Sequence, residues 1–196
     1  MNVIIDDNIL TQEEADVISE TVFGKNGMPF YYSPHATTTK FPFFCHTLAH
    51  RNTATAKTAS IMYEFYENIL IRMCEKHDIP YLNPIRGAVN CTYPDTRYEY
   101  WDPHVDNEFK HKIFILYLND LTTTDNSGNT IIFKEKYSET DFPAICDIEK
   151  DKSKFNIKFE IPPKFGRCLL FDGDHYHTMR PSSNGDLRFI CIFNFQ

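Results

Sequence analysis

The stretch Trp101-Asp102-Pro103-His104-Val105-Asp106 decides how the rest of the chain is read. In an extended segment, residues two apart point to the same side, so His104 and Asp106 present an imidazole and a carboxylate to one point in space. Alone, such a pair is most often a surface accident. Its weight comes from a second stretch, Phe171-Asp172-Gly173-Asp174-His175-Tyr176-His177, which supplies an imidazole from a distant segment. Two imidazoles and one carboxylate on one face of an octahedron leave further positions open, the donor set of mononuclear non-haem Fe(II) centres.

Farther along, Arg188 opens the apolar run Phe189-Ile190-Cys191-Ile192-Phe193. An arginine at the edge of a strand that otherwise reads as buried is costly unless an anion meets it. It therefore asks for a carboxylate. The other histidines read as structural: His35, His46 and His50 fall in an irregular region, His77 ends a helix where positive charge suits the dipole, and His111 lies in a charged turn. His175 shares a face with His177 if the strand continues, so it competes for the third ligand position.

Around these residues the texture is one of short apolar runs, at 87–92, 112–118, 130–133, 155–161, 167–171 and 187–195. Such runs, separated by turn residues and without intervening helices, predict a mainly β, double-sheet jelly roll rather than a parallel α/β sheet. The N-terminal part reads differently. A short strand over 3–5 precedes Thr11-Gln12-Glu13-Glu14, a capping box that starts a helix over 11–23 with Ala15, Ile18 and Val22 on one face. Residues 24–50 show no clean period and read as irregular, open to short strands. Over 53–77, Ile61, Met62, Phe65, Ile69, Leu70 and Met73 recur at helical spacing, and Asp78-Ile79-Pro80 stops the helix. The expectation is one α+β domain, 1–196, with an N-terminal helical support (1–84) packed on a β core (85–196).

With 24% charged residues and 15% aromatics, the chain is one that folds. Its net charge of −7 argues against nucleic acid and anionic membrane as partners. The six cysteines are scattered without a Cys-x-x-Cys pair and read as small buried hydrophobes. Neither a signal peptide nor a membrane-spanning stretch is visible, so a reducing, cytoplasmic location is the default expectation.

Over residues 86–196 the sequence resembles the Fe(II)- and 2-oxoglutarate-dependent dioxygenases, most closely their prolyl-4-hydroxylase-like branch. Val89-Asn90-Cys91-Thr92-Tyr93-Pro94 is similar to the family's tyrosine-proline strand, His104-Val105-Asp106-Asn107 to its metal motif, and Phe114-Ile115-Leu116-Tyr117-Leu118-Asn119 to the strand that follows. Gly128-Asn129-Thr130-Ile131-Ile132-Phe133 resembles its glycine-rich turn into a strand, and the run from Pro162 to Phe171 the next strand. His177 with Pro181 four residues on resembles the second metal histidine, which favours His177 over His175, and Arg188 resembles the residue that binds the distal carboxylate of 2-oxoglutarate.

The resemblance implies a double-stranded β-helix (a cupin-like jelly roll) with Fe(2+) held by His104, Asp106 and His177. Arg188, Tyr117 and Tyr93 would contact 2-oxoglutarate, with O2 as oxidant and ascorbate as an accessory reductant. The implied reaction turns 2-oxoglutarate into succinate and CO2 while hydroxylating a C–H bond of a peptidyl substrate, prolyl among the candidates, or of a small molecule. Asp106 argues against halogenation, because a ligand carboxylate fills the position a chloride needs. Two alternatives are an AlkB-type nucleic-acid demethylase, which lacks support because the strand after Arg188 carries no further arginine, and a non-catalytic metal-binding jelly roll, which needs no co-substrate arginine. The chain departs from the family in having Ser127-Gly128 where two glycines are usual, and in a long charged insertion over 134–160. That insertion is expected to be either a lid beside the metal or a solvated hairpin. Substrate and oligomeric state are left open.

Overall fold

The computed structural model describes residues 3–34, 40–52, 56–121, 126–183 and 185–196. In chain order the strands are β1 (Ile4–Asp6), β2 (Tyr31–Ser33), β3 (Phe43–His50), β4 (Lys57–Thr58), β5 (Pro84–Thr92), β6 (Lys112–Tyr117), β7 (Thr130–Lys136), β8 (Ile157–Ile161), β9 (Cys168–Asp172), β10 (His175–Met179) and β11 (Arg188–Phe195). The α-helices are α1 (Gln12–Ile18), α2 (Tyr63–Lys76) and the short α3 (Ile148–Asp151). The major sheet runs β1-β9-β6-β11-β5-β3-β2, with β4 beside β3, and the minor sheet runs β10-β7-β8. Every pairing is antiparallel. This is the α+β jelly roll that the short apolar runs predict.

Period-two alternation sorts the side chains of the central strands into two layers. On β11, Cys191, Phe193 and Phe195 join Phe114 and Leu116 of β6 in a core shared with Ile18, Tyr66, Ile69, Leu70 and Met73 of the helices. The alternate residues Ile190 and Ile192 turn inward, meeting Ile113, Ile115 and Tyr117 of β6 and Ile132 and Ile161 of the minor sheet. The helices thus cover one face of the major sheet, and the minor sheet covers the other. Gly87 on β5 allows this packing: a Cβ there would stand 2.6 Å from the Phe193 ring.

α1 begins as expected, with Thr11 and Glu14 forming the reciprocal capping box. A single π-turn over Ser19–Phe23 continues it. The second helix is shorter than its apolar period suggests. It starts at Tyr63, not near Thr53, which lies outside the described residues; Lys57–Thr58 pairs with β3 instead, and Ile61 is 99% exposed. Long-range strand pairing has overridden the local periodicity. Its end is a left-handed stop, with Asp78 at φ 54 and the Ile79 amide donating to the Cys74 carbonyl (2.9 Å).

Residues 24–50, without period in the sequence, contain β2 and β3, and β3 pairs with β5 in the major sheet. The N-terminal part therefore supplies strands as well as support. The insertion over 134–160 lies against the minor sheet rather than in solvent. Its Cys146, Ile148 and Phe155 are buried with Phe133, Trp101, Val105 and Tyr176, and Tyr176 Oη donates to the Pro143 carbonyl (2.8 Å).

Candidate metal and co-substrate site

The two sequence stretches meet as the edge of the minor sheet. His104 forms antiparallel bridges with both His177 of β10 and Ile145 of the insertion. Its amide donates to the His177 carbonyl (3.1 Å), and the His177 amide donates back to the His104 carbonyl (2.9 Å). This reciprocal pairing sets the two imidazoles side by side, with centroids 4.6 Å apart. Asp106, two residues on, completes a cluster in which one ligand atom from each residue lies within 4.8 Å of the others.

The rings are aimed by hydrogen bonds to backbone. His104 Nδ1 donates to the Asp102 carbonyl (3.0 Å) and His177 Nδ1 to the His175 carbonyl (3.1 Å). A carbonyl only accepts, so each Nδ1 carries a proton, which leaves each Nε2 as the nitrogen available to the cluster. Burial, with the neighbouring His177 ring, pushes His104 down to about 4, which leaves that imidazole neutral at neutral pH. For Asp106, burial alone acts to raise the carboxyl, but His177, His104 and Arg86 outweigh it and hold the group well below the usual range. Asn194 Nδ2 donates to Asp106 Oδ2 (2.9 Å) and fixes the carboxylate plane.

His175 is elsewhere. Its Nδ1 donates to the Phe133 carbonyl (3.0 Å), and it is not part of the cluster. His46 bonds the Pro29 carbonyl and Ser60, His77 bonds Asp6, and His111 bonds the Phe109 carbonyl. His35 lies outside the described residues.

From the cluster an inner cavity of about 120 Å³ runs between the sheets to Arg188, walled by Ile115, Ile190, Ile192, Met179 and Phe43. Arg188 is 2% exposed. Its Nε donates to the Gly128 carbonyl and its Nη2 to Thr130 Oγ1, both at 2.8 Å. Among the described residues no carboxylate lies within 4.0 Å of it. Burial lowers its pKa, yet an arginine remains a cation. Three further cavity-lining side chains carry a buried polar atom without a protein partner among the described residues: Trp101 Nε1, Asn90 Oδ1 and Thr178 Oγ1.

Tyr117 stands behind this end of the cavity. Its hydroxyl pairs with Thr130 Oγ1 (2.6 Å), and the Arg188 guanidinium sits over its ring at 5.4 Å. Tyr93 follows the end of β5 and is not among the lining side chains. The residues that the motif reading did not single out are Asn90, Trp101, Thr130, Thr178 and Asn194, together with Arg86 and Arg51. Asn194 had a signal: it is in phase with Arg188, Ile190 and Ile192 on an apolar strand, where a buried amide needs a reason. Arg86 is likewise in phase with Ala88 and Asn90. Arg51 had none.

The fold around this site is shared. Over 99% of its length the chain matches an oxidoreductase of the 2OG-Fe(II) oxygenase family from Burkholderia pseudomallei, with TM-score 0.68, 11% identity and 84% of that chain covered. A prolyl-4-hydroxylase from Pseudomonas putida matches over 99% of this chain and 91% of its own, with TM-score 0.60 and 10% identity. HygX from Streptomyces hygroscopicus, solved with nickel and 2-oxoglutarate bound, matches over 98% and 82%, with TM-score 0.61 and 11% identity. The fold is that of the 2-oxoglutarate- and Fe(II)-dependent oxygenases. Neither a family model nor a curated protein matches the sequence itself. Among the described residues, no helix of this oxygenase fold is long and apolar enough to cross a membrane.

Proposed function

We propose that the protein is an Fe(II)- and 2-oxoglutarate-dependent oxygenase that hydroxylates a C–H bond of a peptidyl, candidate prolyl, or small-molecule substrate. The observation that carries this reading is Arg188, a buried cation with no described carboxylate within 4.0 Å, facing the same cavity as the His104, Asp106 and His177 cluster. A buried charge without a partner costs several kcal/mol, so a ligand dianion that reaches from the cluster to the guanidinium relieves a cost already built into the fold.

The donor set fits a divalent iron: two imidazoles and one carboxylate, each held by a hydrogen bond. When bound, that ion supplies the redox chemistry by which 2-oxoglutarate and O2 become succinate, CO2 and a hydroxylated product. The chain does the rest. Arg188 pairs with the distal carboxylate of the co-substrate, Thr130 and the Tyr117 ring hold the guanidinium in place, and Trp101, Asn90 and Thr178 offer unpaired polar atoms to a ligand. Ile115, Ile190 and Ile192 keep water from the space between.

Incubating the protein with Fe(II), 2-oxoglutarate and O2 should yield succinate even without the primary substrate, at an uncoupled rate that rises with the correct member of a peptide and metabolite panel. No succinate above an Fe(II)-free control would refute the reading.

A further inference from the structure

Outside the metal cluster lies a second cavity of about 630 Å³ whose wall includes Arg51, Arg86, Asp106, Tyr31, Tyr32 and Phe43. Arg86 also lines the inner cavity, so it stands at the junction of the two. Each arginine brings a guanidinium nitrogen to 3.9 Å from Asp106 Oδ1. Among the described residues Asp106 is the only carboxylate that close to either, and the only acidic side chain on the outer wall. Nη1 of Arg51 is spent on the Asp106 carbonyl (2.8 Å) and Asn107 Oδ1, which leaves Nη2 facing the carboxylate.

This inference rests on the oxygenase reading above and concerns its substrate. With Fe(II) at +2, Asp106 at −1, 2-oxoglutarate at −2 and Arg188 at +1, the loaded centre is neutral, and Asp106 is committed to the metal. Arg51 and Arg86 then stand as two like charges at the entrance of a protein whose net charge is −7. An oxyanion between them accepts from both guanidinium groups and cancels their repulsion.

We propose that the outer cavity binds an anionic substrate, its carboxylate or phosphate held between Arg51 and Arg86 and its apolar body resting on Tyr31, Tyr32 and Phe43. The oxidised C–H bond then lies within a few bonds of that anionic group, because the same Asp106 that faces both arginines belongs to the metal cluster.

The test uses Mn(II) as a paramagnetic stand-in and saturating 2-oxoglutarate, with benzoate, phenyl phosphate and benzamide titrated as probes. Line broadening of their ring protons, against a Zn(II) blank, reports binding beside the metal. One or both anions should bind about tenfold or more tighter than neutral benzamide, the value of a charge-assisted hydrogen bond. The tighter of the two identifies carboxylate or phosphate as the recognised group. Arg86→Gln should abolish the preference, and Arg86→Lys should retain part of it. Equal broadening by all three probes in the unaltered protein overturns the proposal without any variant. So does a benzoate signal that disappears as 2-oxoglutarate is raised, since that places the anion on Arg188. Failure to bind Mn(II) or 2-oxoglutarate at all would instead remove the oxygenase reading, and this inference with it.

Discussion

Asn194 shows how much a single buried amide can decide. It interrupts an apolar strand to donate one hydrogen bond to Asp106, the carboxylate whose two oxygens also face His177, Arg51 and Arg86. Replacing Asn194 with Ala removes the group that fixes the carboxylate plane but leaves all three ligands. Loss of such an outer partner typically lowers metal affinity about 10- to 100-fold, and a Mn(II) titration of the variant should show a drop in that range. Affinity within about twofold of the original would mean that the arginines, not Asn194, orient Asp106. At this scale the site was partly legible in the sequence. His104 and Asp106 announce themselves by spacing, Arg188 by cost of burial and His177 over His175 only through the family resemblance, while Asn194 and Arg86 are marked by phase on their strands. Arg51 is brought to Asp106 by tertiary structure alone, and no local pattern marks it.

Elements formed where short apolar runs are strong, and β5, β6, β7, β8, β9 and β11 lie close to their expected positions. β10 and β3 were not legible, because His175-Tyr176-His177-Thr178-Met179 and Phe43–His50 mix polar and apolar residues and become strands only through β7 and β5. The insertion lies beside His104 through the Ile145 bridge and packs on the minor sheet, so of its two readings only the solvated hairpin fails. Its charges are conspicuous, whereas its anchors are single residues: Phe155, 8% exposed, touches the Phe133, Phe142 and Tyr176 rings. Phe155→Ala should therefore destabilise the protein by about 3 kcal/mol or more in urea unfolding, the cost of a buried phenyl, whereas a solvated hairpin would lose almost nothing. A pH-dependent contact joins two other elements. Asp7, just after β1, pairs with Arg167, which precedes β9, and with Lys164. The Arg167 hydrogen bond holds the Asp7 carboxyl far below its ordinary value. A depressed folded-state pKa gives stability that is present above the unfolded value and lost as pH falls toward the folded one. Asp7→Asn should thus cost on the order of 1 kcal/mol at pH 7, and the gap to the unaltered protein should close as the pH drops below about 4. A gap that persists unchanged into acid would assign the loss to packing.

Across the whole molecule, the two sheets hold the His104, Asp106 and His177 cluster at one end of a narrow apolar cavity and a buried guanidinium at the other, with helices stiffening the major sheet from outside. On the proposed reading the charge sum makes such a cavity tolerable: Arg188 is costly alone and would be neutralised when a metal-bound dianion fills the space. Losing Arg188 should therefore weaken 2-oxoglutarate binding far more than metal binding. The most direct measurement is an anaerobic titration of the Fe(II)-loaded protein with 2-oxoglutarate, followed by the visible absorption of a 2-oxo acid chelated to Fe(II), in the unaltered protein and in Arg188→Leu. The account predicts saturable binding with one equivalent in the former, and in the latter an affinity weaker by roughly two to four decades with Fe(II) still bound. Equal 2-oxoglutarate affinity in the two proteins, or no absorption change in the unaltered protein with Fe(II) in place, would contradict it.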